Sequence, residues 1–146
     1  MAELPVKFEG ACPILVVTDL AKSLEYYVDV LGFRIDWNYE ETIAAVARDR
    51  CCIFLSQDRQ GHRGGWAWIG VSDSAALHDE LVSRGARIRM PPTNFTWALE
   101  MHVEDLDGNV LRMGSEPLEG EPLGVWVDAR GEKWREVAEQ EWEKVE

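Results

Sequence analysis

Apolar positions along this chain follow a helical period, then a strand-like one, and then repeat the whole order. Leu20, Leu24, Tyr27, Val28 and Leu31 fall at i, i+4, i+7, i+8 and i+11, which places them on one helix face. Asp19 precedes them and can accept the unsatisfied N–H groups of the first turn, and Gly32 supplies a left-handed C-terminal residue. Three shorter stretches, at 34–38, 43–48 and 51–56, then read as strands. The second copy begins at Asp73. It carries Leu77, Leu81 and Val82 on the buried side of a helix, stops at Gly85, and continues with strands predicted at 87–90, 98–104 and 110–115. Asp107-Gly108-Asn109 is a hairpin turn between the last two. The caps Asp19 and Asp73 lie 54 residues apart and occur twice only, so the pattern is a tandem duplication and not a solenoid. The expected fold is α+β: two βαβββ modules, at about 10–57 and 65–116, within one domain spanning 1–116.

The two faces of these strands differ in kind. Ala67, Ile69 and Val71 share one face of their strand, and Trp66, Trp68 and Gly70 share the other. Across the last hairpin, pairing Glu104 with Val110 sets His102 opposite Arg112, with Glu100 on the same face. Met101, Val103, Leu111 and Met113 take the reverse face. The aliphatic faces are predicted to pack under the helices. The faces bearing tryptophan and charge are predicted to line a ligand cavity, since large apolar surface left in water marks binding sites; the alternative is a solvated sheet face. Of the indoles, Trp68 reads as the one best suited to core packing and Trp66 as the least.

Charge narrows the partners. Fifteen Lys and Arg against 27 Asp and Glu give a net charge of −12, which disfavours nucleic acid and anionic membrane surfaces and attracts a cationic small molecule. Cys12, Cys51 and Cys52 form neither a disulfide framework nor a CxxC pair. No run approaches the 18 apolar residues of a membrane span and the first residues lack a signal-type apolar stretch, so the expected location is cytoplasmic. The remaining segment, 117–146, is an acidic extension. Trp134, Val137, Ala138, Trp142 and Val145 fall there at i, i+3, i+4, i+8 and i+11, which predicts an amphipathic helix. That helix would pack on the body, bridge a dimer, or form a lid over the groove.

DLAKSLEYYVDVLGF at 19–33 and EDLDGNVLRMG at 104–114 resemble the paired signature of the vicinal oxygen chelate superfamily. This group includes glyoxalase I, extradiol dioxygenases, fosfomycin-modifying thiol transferases and bleomycin-resistance proteins. The resemblance implies three metal-ligand positions. They fall on Cys12 and Trp66, each seven residues before a capping Asp, and on Arg112, three beyond Asn109. These residues are poor ligands for a hard cation: Trp offers no acceptor nitrogen and Arg no lone pair. Neither His62 nor His78 restores a ligand set, and His102 has only Glu100 as a partner.

The metal-free bleomycin-resistance branch is the more similar. It implies a Pro near the start of the first strand (Pro13), an Asp-aromatic pair after the Gly-Phe (Asp36-Trp37), an aromatic-x-aromatic opening the second module (Trp66, Trp68), and a Trp eight residues before the last turn (Trp97). The ligand-binding set implied is Asp36, Trp37, Trp66, Trp68, Trp97, Glu100, His102 and Arg112, with no catalytic residue, no metal and no cofactor. A groove holding Trp37, Trp66 and Trp97 would stack a planar cationic glycopeptide-type antibiotic, and the resemblance implies a homodimer with possible strand exchange. Two other readings stay open. One is a metal-dependent lyase, dioxygenase or thiol transferase; the other is a binder of some other aromatic metabolite or self-resistance peptide.

Overall fold

Asp19 and Asp73 each cap a helix as the spacing predicts: their carboxylates accept from Lys22 N at 3.1 Å and Ala76 N at 3.0 Å. In this computed structural model, which describes residues 4–146, the first helix, α1 (Leu20–Glu25), widens into a π turn over Tyr26–Val30. The second, α2, runs Ser74–Ser83. The first module's strands are β1 (Ile14–Val17), β2 (Arg34–Tyr39), β3 (Ile43–Arg48) and β4 (Cys51–Gln57), in the order β1-β4-β3-β2. The second module repeats that order with β5 (Trp66–Gly70), β6 (Arg87–Asn94), β7 (Leu99–Glu104) and β8 (Val110–Ser115), giving β5-β8-β7-β6. In each sheet the first strand pairs in parallel with the last, and all other pairings are antiparallel.

One continuous core joins the modules. Leu20, Leu24, Tyr27 and Leu31 of the first helix, Leu81 of the second, and Val46, Ile53, Met101, Val103 and Leu111 of the two sheets belong to the same buried cluster. Val82, predicted to be buried, is 51% exposed, while Leu81 beside it on α2 is wholly buried and Leu77 packs against the core as predicted. The last turn binds the halves together. Tyr27 Oη donates to Asp105 Oδ2 at 2.9 Å, and Tyr26 Oη donates to Glu104 O at 2.7 Å. Asn109 Nδ2 donates to Val16 O at 3.0 Å, while its Oδ1 accepts from Gly65 N at 2.9 Å. Asp105 and Asn109 thus form a buried polar joint, while the exposed Gly108 between them, at φ 78°, makes the hairpin turn.

The extension is not a helix. It forms a three-stranded antiparallel sheet, β9 (Val125–Val127), β10 (Lys133–Ala138) and β11 (Glu141–Val145), in the order β11-β10-β9. Two turns override the helical spacing. Asp128 Oδ1 accepts from Arg130 N and Glu132 N, with Gly131 at φ 83°, which reverses the chain after β9; Gln140 at φ 62° reverses it after β10. Trp134 and Trp142, on one face in the helical reading, stand on neighbouring strands, where Trp134 pairs with Lys144 and Glu136 with Trp142.

Candidate ligand-binding site

The second sheet turns its polar and aromatic side away from the helices. His102 pairs with Arg112 and Glu100 with Gly114 across β7 and β8, as the hairpin register predicts, and Met101, Val103, Leu111 and Met113 lie beneath them in the core. Glu100 is wholly buried and its two oxygens collect four donors. Arg112 donates from Nε at 2.8 Å and from Nη2 at 3.2 Å, Trp97 from Nε1 at 2.8 Å, and His102 from Nε2 at 2.6 Å. Burial raises the carboxyl pKa, but the hydrogen bonds from His102, Arg112 and Trp97 and the charge of Arg112 outweigh it and hold Glu100 at about 2. An ionised carboxylate accepts only, so His102 carries its proton on Nε2; its buried Nδ1 has no partner among the described residues.

Indoles surround this cluster. Trp66 stands edge-on to His102 at 5.4 Å, with the Arg89 guanidinium 5.2 Å from its ring. Trp68 is half exposed, with Arg112 at 5.2 Å, and its ring lies across Gly114, where any Cβ would overlap it. This reverses the ranking read from the sequence. Trp68, the indole best suited to the core, lies open because glycine on β8 gives it a floor, whereas Trp66 is the better covered. Trp97 stacks face to face on Phe95, with centroids 4.7 Å apart and planes 1° apart.

The extension supplies the cover. Trp126 on β9 is 4.7 Å from His102, 6.3 Å from Trp66 and 6.0 Å from Trp97, and the Arg112 guanidinium lies 4.8 Å from its ring. Polar anchors hold it there. Buried Glu136 accepts from Thr96 N at 2.8 Å and Thr96 Oγ1 at 2.7 Å, Arg89 Nη2 donates to Asp128 O at 2.6 Å, and Gly124 N donates to Asn94 O at 2.9 Å. Trp97, Arg112, Trp126, Trp134 and Trp142 line a remaining pocket of about 280 Å3.

Asp36 and Trp37 lie on the first sheet, on a different sheet from the Glu100 cluster. Asp36 occupies an irregularity in the β2–β3 pairing, and Trp37 packs edge-on against Phe54 at 5.1 Å. Nearby, burial and the neighbouring Cys12 thiol push Cys52 up to about 11, so at neutral pH it is a thiol and a poor nucleophile. The superfamily's metal positions do not fit an ion. Arg112 is committed to Glu100, and Trp66 packs against His102. Cys12 lies by Cys52, and no three His, Cys, Asp or Glu among the described residues are grouped to hold a metal.

Residues 11–113 match the family described as the Glyoxalase/Bleomycin resistance protein/Dioxygenase superfamily. The chain belongs to that superfamily. Among solved structures, this superfamily member is similar to the bleomycin-binding protein of bleomycin-producing Streptomyces verticillus, complexed with copper(II)-bleomycin, at 28% identity and a TM-score of 0.63, over 75% of this chain and 98% of that one. It shares its fold with TioX from Micromonospora sp. ML1, at 20% identity and a TM-score of 0.65, over 73% of this chain and 99% of that one. A Nocardioides glyoxalase/bleomycin resistance protein/dioxygenase shows the same fold, at 18% identity and a TM-score of 0.61, over 81% and 89%. No curated protein matches. The extension lies outside the superfamily match, and with it Trp126, Trp134 and Trp142, whose part in the site the helical spacing does not reveal. The available signal is their number: three of the chain's seven tryptophans fall in its last 21 residues.

Proposed function

We propose that this chain is a metal-independent binding protein that holds a planar, cationic, glycopeptide-type antibiotic of the bleomycin class against its indoles, without making or breaking a bond. The observation that carries this reading is the state of the polar groups on the aromatic face. Glu100 is saturated by Arg112, His102 and Trp97, which leaves it unable to hold a metal among indoles that can stack on a flat ring, while the unpartnered His102 Nδ1 lies wholly buried beneath Trp66 and Trp126. Such stacking adds about 0.5–1.5 kcal/mol per ring pair beyond burial, and a cation over an indole adds roughly 0.5–2 kcal/mol. The net charge of −12 favours a cationic ligand further. The bleomycin-binding neighbour supports the same class, and a homodimer is part of the proposal. Calorimetric titration with bleomycin, phleomycin and an unrelated DNA intercalator tests it. Micromolar or tighter binding of the first two, without the third, supports the antibiotic class; binding of none of them overturns it.

A further inference from the structure

We propose that the extension turns the end of the aromatic face into a tryptophan box for a one- or two-ring aromatic group bearing an uncharged hydrogen-bond acceptor. The inference rests on the reading of this face as a ligand site and adds the chemistry of the group taken up there. Four indoles, Trp97, Trp126, Trp134 and Trp142, wall the box, and Arg112 forms its polar side. Its volume of about 280 Å3 falls just below that of ligand pockets, which start near roughly 300 Å3, so it accepts a ring fragment and not a whole drug-sized molecule.

The polar hooks are all donors. Trp97 Nε1 and Trp134 Nε1 are spent on Glu100 and Asp128. Arg112 uses Nε and Nη2 on Glu100, which leaves Nη1 without a partner among the described residues. Of the four indoles, only Trp97 and Trp134 have a hydrogen bond from Nε1 to another described residue, and an indole N–H can only donate. A ligand group that pairs with any of these side chains must bring the acceptor. Full negative charge is disfavoured, because Glu100 neutralises Arg112 and the chain carries −12. A cationic group finds two walls already facing the chain's own cations, with Arg112 4.8 Å from Trp126 and Lys144 5.9 Å from Trp134. A neutral carbonyl or carboxamide on a flat ring fits both constraints.

The test titrates the full chain with 2-naphthamide, 2-naphthoate and a naphthylmethyl-trimethylammonium salt, following tryptophan fluorescence and heat. The amide should bind at least tenfold more tightly than either charged probe. Trp142→Ala should weaken it at least tenfold, Trp142→Phe should retain most of the affinity, and Val82→Ala, on the exposed side of α2, should leave it unchanged. Absence of amide binding, equal or tighter binding of the ammonium or carboxylate probe, or indifference to Trp142→Ala overturns the box. Bleomycin titrated into the same proteins separates the two claims: its failure while the amide still binds at Trp142 removes the antibiotic and leaves the box standing.

Discussion

Trp126 stands edge-on to His102, with ring centroids 4.7 Å apart and planes 84° apart, so a residue outside the superfamily match roofs a histidine inside it. Because His102 is wholly buried beneath this indole and that of Trp66, the extension is part of the second module's aromatic face. Trp126→Ala should remove that roof, admit water to the unpartnered His102 Nδ1, and lower stability by about 2 kcal/mol, below the range for a fully buried Trp because Trp126 is half-buried. Urea unfolding of the variant reads the loss, and an unchanged midpoint would show that the extension does not seat on the sheet.

Glu100 makes folding dependent on acid. Its carboxyl is held at about 2 against an ordinary value of 4.5, so the folded state favours the ionised form. That contribution is complete above about pH 4.5 and is lost as pH falls toward 2. It amounts to on the order of 3 kcal/mol, because each tenfold gain in acidity on folding is worth about 1.4 kcal/mol. Denaturation midpoints measured between pH 6 and pH 2 should fall across this window in the parent chain. They should fall less in Glu100→Gln, which is also less stable at neutral pH because the Arg112 charge then lacks its partner.

Asn109 should be the most sensitive turn residue. Its side chain donates to Val16 O and Asp105 Oδ2 and accepts from Gly65 N, all within the joint between the modules. Asn109→Ala leaves a buried carbonyl and an amide unpaired and should cost about 2–4 kcal/mol. Loss of one cooperative unfolding transition in that variant, measured by calorimetry, would locate the damage at the joint between modules; a shift below about 1 kcal/mol would contradict the role given to it.

The duplicated modules are legible in the sequence because both caps, both terminal glycines and the alternating faces are local signals. The Glu104–Val110 register then brings Glu100, His102 and Arg112 to one face. The Arg112–Glu100 pair follows from that register alone. The extension is not legible, for a physical reason. Trp134, Val137, Ala138, Trp142 and Val145 satisfy a helical period by count, yet what selects their structure is non-local: Glu136 reaching Thr96, and Trp126 reaching His102. The exposure of Trp68 is hidden on similar grounds, since nothing near it in sequence shows that Gly114 leaves room for its ring. The offset of Trp37 from Phe33 groups it with Trp66 and Trp97, but it belongs to the first sheet, where its partner is Phe54.

Whether the aromatic face takes its ligand without a metal is decided by titrating chelator-treated protein with metal-free bleomycin, in the parent chain and in Trp66→Ala. Micromolar or tighter binding that the chelator does not alter is expected, weakened in Trp66→Ala by about 1–3 kcal/mol, the cost of truncating an anchoring aromatic. Binding that disappears on chelation and returns with one divalent ion per chain, or affinity indifferent to Trp66→Ala, would contradict metal-independent binding at this face.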